Sequence, residues 1–329
     1  MNLTELFGFG FMQRALIAAL VSGLLCPAVG TYIVQRRLSL LGDGLGHVAT
    51  AGIGLALLTG WAPLPVAVGV CLAVAVGIEL LRQSGRASAD VGLAILFYGG
   101  LSVGLLLASL AGQGTGTLSQ YLFGSLITVT RGDVWLIAVL AVAVLAVSLG
   151  LAPWLFSVCV DEEYARTQGL PVRALNVVIV AMAALTVTLS MRTVGLLLVS
   201  ALMVVPVAAA QNLGRSFRAT LAIAMAIGVA VAGAGVVVSA GADTASGPTI
   251  VVAAIVVFLL SGLVPLWRGR RAAQGAAGDP GLSGIAHVIA EPHDDHALAH
   301  DVAVLHDDHV DFLHDGHRHA PHGDHYDEH

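Results

Sequence analysis

Between residues 14 and 266 the chain is a nearly unbroken succession of apolar runs, each about 20 residues long, the length a helix needs to cross a bilayer core about 30 Å thick. No other feature limits the fold so sharply. Of the 329 residues 57% are hydrophobic and 11% charged, proportions that one soluble core cannot absorb. In lipid every backbone N–H and C=O must be satisfied within its own segment, so runs of this length are expected to be helices. We place about nine of them, at 14–34, 45–60, 62–81, 90–110, 133–152, 174–190, 193–211, 219–240 and 248–266. The expected fold is all-α, a polytopic membrane protein with about 8–9 transmembrane helices.

Charge sets the orientation. The chain contains no lysine, so arginine alone reports topology. Arg36/Arg37, Arg82/Arg86, Arg166/Arg173, Arg215/Arg218 and Arg268/Arg270/Arg271 all fall on one side of these spans, while Arg14, Arg131 and Arg192 fall on the other. The positive-inside rule makes the first side cytoplasmic and leaves the N-terminus outside. Trp61, Trp135, Trp154 and Trp267 sit at span ends, where amphipathic rings prefer the headgroup zone. No basic region precedes the first apolar run, which follows Glu5, so the first span is expected to be retained. Pro27 and Pro206 fall inside spans and are expected to kink them, and Gly42/Gly46 make one small-residue packing face.

The C-terminus is a different material. Twelve of the 13 histidines lie between His287 and His329, and residues 291–329 carry 11 acids against one arginine. Imidazole and carboxylate mixed at short intervals supply the nitrogen and oxygen donors that Zn²⁺ or Ni²⁺ accept. We divide the chain into a membrane domain at 1–267, a linker at 268–286 and a His/Asp-rich tail at 287–329. With so little apolar content the metal-free tail is expected to be disordered. Its candidate ligands are His293, His296, His300, His306, His309, His314, His317, His319, His322, His325 and His329. A cytoplasmic buffer, an inhibitory sensor and a passive extension are the roles open to it.

Within the membrane domain the one histidine, His47, follows Asp43 by four residues, which puts both on one helix face. Ionisable groups inside a membrane are functional candidates by default, and this pair can ligate a divalent cation or simply hydrogen-bond to each other at the rim. Two ligands do not complete a zinc shell. A two-fold homodimer would bring two carboxylates and two imidazoles to its axis. The polar insertion at 157–175 reads as a short helix opened by Asp161, Glu162 and Glu163 and closed at Gly169, either a docking element or an ordinary connection. Glu79, Asp90 and Asp133 sit at span ends, where snorkelling or helix-dipole roles are expected, and Arg192 and Asp243 are assigned to outer connections. Cys26, Cys71 and Cys159 lack metal-site spacing and read as small buried residues.

Enzymatic motifs are missing. A Walker loop requires lysine, and neither HExxH, GxSxG nor a dinucleotide fingerprint is present. The net basic charge of the core follows from membrane orientation and implies no nucleic acid.

Five ordered segments carry a family likeness: RRLSLLGDGLGHVATAG (36–52), YLFGSLITVTRGDVW (121–135), DEEYARTQGLPV (161–172), MRTVGLLLVSALMVVPVAAAQ (191–211) and SGPTIVVAAIVVFLLSGL (246–263). Together they resemble the membrane permeases of bacterial zinc, manganese and iron ABC importers, over about residues 10–265 and excluding the tail. The resemblance implies a homodimeric permease in the bacterial plasma (inner) membrane, paired with a separate cytoplasmic ABC ATPase subunit and loaded by an extracytoplasmic solute-binding protein. It implies that Asp161, Glu162, Glu163, Arg166 and Gly169 belong to the helix that couples to the ATPase, and that Asp43 and His47 lie on the metal pathway. It implies no permanently bound cofactor. Arginine at 192, where lysine is commoner in the family, and the tail are departures. Zinc is expected over manganese because manganese prefers an oxygen-dominated shell. The competing reading is a stand-alone secondary transporter or facilitator, which one core histidine serves poorly.

Overall fold

The computed structural model describes residues 10–86, 88–112, 131–191, 195–242 and 244–277 and four strands between Val302 and Glu328, with backbone alone from residue 265 onward. In chain order the helices are α1 (Gly10–Gln35), α2 (Leu41–Thr59), α3 (Pro63–Gln83), α4 (Ala89–Ala94), α5 (Gly100–Leu110), α6 (Arg131–Gly150), α7 (Ala152–Val160), α8 (Glu162–Thr167), α9 (Val172–Ser190), α10 (Leu196–Leu213), α11 (Phe217–Ala242) and α12 (Ser246–Ala277), and a π turn, Ile95–Gly99, joins α4 to α5. Contacts divide the chain into two compact units, Met1–Pro265 and Leu266–His329.

Among the described residues seven segments are long and apolar enough to cross a membrane, and α6 with α7, bent by 67°, makes an eighth. The bend lies at Leu151, ahead of Pro153 in the first turn of α7. Proline supplies no N–H to α6 and disfavours helical conformation before it, so the helix axis changes direction there. The run expected at 193–211 is realised as α10, whose apolar helical stretch, Leu198–Leu213, is shorter than a full span. Pro27 lies inside an α1 that continues through it, and the Pro27 carbonyl accepts the Thr31 hydroxyl at 2.8 Å.

Helix α2 is the innermost element, buried along most of the length from Leu41 to Ala56, and α3, α5, α9 and α10 all pack on it. Small residues permit this. A β-carbon on Gly100 would stand 2.6 Å from the Val48 nitrogen, and one on Gly104 2.9 Å from the Ala51 nitrogen, so α5 lies on α2 backbone to backbone, the packing that lipid-embedded helices use in place of a hydrophobic driving force. Gly42 and Gly46 face α10 instead, against Ser200 and Leu196. On the outside, Leu106, Val139, Val142 and Leu259 are exposed, as are Trp61, Trp135 and Trp154 at helix ends. An apolar exterior is what lipid solvates. Cys26, Cys71 and Cys159 are free and buried.

The tail departs from the expectation of disorder. Its backbone forms an antiparallel sheet of order β1-β2-β3-β4 from Val302–His306, His309–His314, His317–His322 and His325–Glu328. Composition averaged over the whole tail conceals local pattern: VAVL and HVDFL are runs of β-formers, and each successive pair of strands is separated by two residues, the length that closes a hairpin.

Candidate metal pathway and coupling helix

Asp43 lies in the first turn of α2 and is half-buried, while His47, one turn on, is 8% exposed. Its Nδ1 has no hydrogen-bond partner. Buried polar atoms are nearly always paired, so an orphan calls for an explanation. The Phe97 ring meets the imidazole edge to face, with centroids 4.2 Å apart and planes at 67°, and Phe97 belongs to the π turn. On another side Gly46 stands against Leu196, the first residue of α10. The helix that begins there is preceded by Gly195 at φ 92°, a conformation suited to glycine. Two breaks in regular helix, the π turn and the start of α10, therefore flank His47. Irregular backbone at membrane depth is tolerated where protein or a wet cavity can satisfy it, and π turns concentrate at functional sites. Among the described residues no group of three or more His, Cys, Asp or Glu side chains gathers, so Asp43 and His47, one turn apart on α2, are two candidate donors without a third.

The segment 161–169 has a different electrostatic character. Asp161 caps α8, its Oδ1 accepting from the Glu163 and Tyr164 N–H groups at 2.9 Å each. At the other end Gly169, at φ 77°, closes the helix with Leu170 N–H on the Ala165 carbonyl and Gly169 N–H on the Arg166 carbonyl, both at 3.1 Å, the Schellman pattern. This helix has two faces. Ala165 is buried and Glu162 turns inward, whereas Glu163, Tyr164, Arg166 and Thr167 are exposed.

Glu162 is the inner anchor. Its Oε1 accepts from the Arg36 guanidinium and from Asn176 Nδ2, the latter at 3.1 Å, and Arg36 Nη1 also donates to Asn176 Oδ1 at 2.9 Å. Arg82 Nη2 lies 4.0 Å from the same oxygen, and the Arg82 guanidinium grips Glu79 through Nε on Oε2 and Nη2 on Oε1, each at 2.8 Å. Gln83 bridges Glu79 to the Arg173 carbonyl, at 2.8 and 3.1 Å. One polar hub thus joins the ends of α1, α3 and α9 to α8. Arg36 enters it as the chain reverses through Arg37, at φ 58°.

The sequence reading of Glu79 is corrected by this geometry. It does not snorkel; at 5% exposure it is a buried carboxylate held by Arg82 and Gln83. Arg36, Arg82 and Asn176, read only as topology markers or not at all, are hub residues, and the available signal was a polar Asn176 within the apolar run 174–190. Phe97 gave no signal. Asp90 is exposed in the first turn of α4. The side chains of Asp133, Arg192, Asp243 and Trp267 lie outside the described residues, as do His293, His296, His300 and His329, whereas His306, His309, His314, His317, His319, His322 and His325 occupy strand positions.

Known proteins place this architecture. The ABC 3 transport family matches residues 8–264. The manganese transport system membrane protein MntC of Halalkalibacterium halodurans is 31% identical over 83% of this chain and 96% of its own length. The high-affinity zinc uptake system membrane protein ZnuB of Haemophilus influenzae is 28% identical over 77% of this chain and 97% of its own. The chelated iron transport system membrane protein YfeD of Yersinia pestis is 31% identical over 79% and 87%. Among solved structures, PsaBC from Streptococcus pneumoniae in complex with Fab superposes with a TM-score of 0.68 at 27% identity, over 78% of this chain and 93% of that one. The chain belongs to the ABC 3 transport family and is a membrane permease of the metal ABC importer type.

Proposed function

We propose that this permease carries zinc inward by alternating access, as a homodimer in the bacterial plasma membrane, with its N-terminus outside and its tail in the cytoplasm. A separate ABC ATPase supplies the energy and an extracytoplasmic solute-binding protein supplies the ion. The observation that carries the reading is the two-faced α8: its outer face offers Glu163, Tyr164 and Arg166, while its inner face is tied through Glu162 to the ends of three transmembrane helices. Closure of the ATPases against the outer face moves the hub as a body, and α1, α3 and α9 with it.

Asp43 and His47 offer the passing ion one carboxylate and one imidazole. Such a pair suits transport, because a closed tetrahedral cage of protein ligands would hold zinc and stop turnover. Phe97 covers the imidazole, so the ion reaches His47 when the π turn shifts. Relatives named for manganese, zinc and iron leave the metal class broad, and imidazole donors favour zinc.

Uptake of radioactive zinc into proteoliposomes tests the reading. It requires the chain, its ATPase, the binding protein and hydrolysable ATP together. Zinc equilibrating through the chain alone would make it a facilitator.

A further inference from the structure

Helices α6 and α7 meet at Leu151 with a bend of 67°. The α6 ladder runs as far as the Leu151 N–H on the Val147 carbonyl, at 2.9 Å. Beyond it Pro153 has no N–H to offer the chain before the bend, and the Ser148 carbonyl accepts from another helix: the Tyr32 hydroxyl of α1 donates to it at 2.6 Å. Both residues are fully buried. In lipid a carbonyl at a helix break must find its donor within the protein, and Tyr32 is that donor. Its ring reaches the other side of the bend as well. It packs on Phe217, the first residue of α11, with centroids 5.6 Å apart, and Phe217 packs on Phe156 of α7 at 4.3 Å. The hydroxyl therefore holds the α6 side of the break, and the ring, through one neighbour, holds the α7 side.

What α7 carries gives this contact its consequence. A single residue, Asp161, separates α7 from α8 and caps α8 with its carboxylate, so the two helices leave the bend as one short arm. One turn beyond Tyr32 stands Arg36, its N–H bonded to the Tyr32 carbonyl at 3.2 Å and its guanidinium to Glu162 of α8. The end of α1 thus fixes the arm twice, at its root through Tyr32 and at its tip through Arg36. The nine residues of α7 span about 13 Å, so a change of about 10° at the bend displaces α8 by about 2 Å.

We propose that Tyr32 is a positioning residue for transport: its hydroxyl sets the α6–α7 bend, and the bend sets where α8 stands against the ATPase. The second half rests on the reading of α8 as the coupling helix. Tyr32→Phe keeps the ring contacts, leaves the Arg36–Glu162 pair in place and removes only the donor to the Ser148 carbonyl.

Two measurements on this variant test the two halves separately. In the full-length permease in detergent, spin labels at Val142→Cys on α6 and Thr167→Cys on α8, both exposed positions, report the distance across the bend, while the native cysteines are buried. Tyr32→Phe is expected to shift or broaden that distance by about 2 Å, the displacement of α8 that a bend change of about 10° produces. In vesicles reconstituted with the ATPase and the binding protein, the unlabelled variant is expected to deliver about fivefold less zinc per ATP hydrolysed, the factor that corresponds to about 1 kcal/mol for one hydrogen bond. An unchanged distance, or a variant that no longer folds, would make Tyr32 a packing residue and overturn the proposal, with the reading of α8 untouched. A changed distance with an unchanged ratio of zinc to ATP would overturn the link to transport and, with it, the coupling role of α8.

Discussion

Two polar islands stand among the described residues of the membrane domain, one around Glu162 and Glu79 and one at His47, and they differ in one respect. Around Glu162 and Glu79 the carboxylate oxygens are met by Arg36, Arg82, Asn176 and Gln83. At His47 a buried nitrogen has no partner and the neighbouring helices are irregular. The first island is satisfied and joins four elements; the second holds an unpaired nitrogen beside a π turn and a helix start. Desolvating charge is costly, so one partner of a satisfied network cannot be removed cheaply, while an unpaired buried group calls for an explanation of its own. On the proposed reading, mechanical coupling and cargo handling occupy different residues, and substitutions should separate them.

The largest effect on folding is expected at the satisfied island. Arg36→Ala leaves Glu162 and Asn176 without their shared donor and is expected to cost about 3 kcal/mol, toward the lower end for a broken buried pair because the Glu162 side chain is 34% exposed. Denaturation in detergent measures it, and a cycle with Glu162→Gln isolates the pair. A loss below about 1 kcal/mol would show that the hub is an ordinary surface ion pair.

Next comes the seam beside the unsatisfied island. Gly100→Ala drives a β-carbon toward the Val48 nitrogen, 2.6 Å away, and overpacking of this kind costs about 1–3 kcal/mol. Because α5 carries the π turn at its start, zinc uptake should fall more steeply than stability. An unchanged uptake rate would detach that seam from the pathway.

The smallest structural effect belongs to the outer face of α8. Glu163→Gln should leave stability within about 0.5 kcal/mol, as exposed substitutions do. It should still weaken association with the ATPase, read by co-purification at increasing salt. Full retention at every salt concentration would remove Glu163 from that interface.

How much of this was legible depends on range. The spans were readable because lipid imposes a local rule, one apolar run per helix, and the caps of α8 were readable because Asp161 and Gly169 act on neighbouring backbone. The hub was not, since Arg36, Glu79, Arg82, Glu162 and Asn176 meet only after α1, α3, α8 and α9 have packed. The π turn was hidden because ILFYG is apolar and fits an α-helix equally well. In the tail, average composition pointed to disorder, and only the short β-forming runs VAVL and HVDFL, set off by two-residue turns, signalled strands.

The most direct measurement is ATP hydrolysed and zinc delivered, counted together in reconstituted vesicles for the wild-type chain and His47→Gln. The account predicts that the variant folds, assembles and supports stimulated hydrolysis, because the hub is intact, while zinc delivery falls at least about tenfold, the equivalent of 1.4 kcal/mol. Zinc delivered at the wild-type ratio to ATP would contradict it, and His47 would then be a packing residue beneath Phe97.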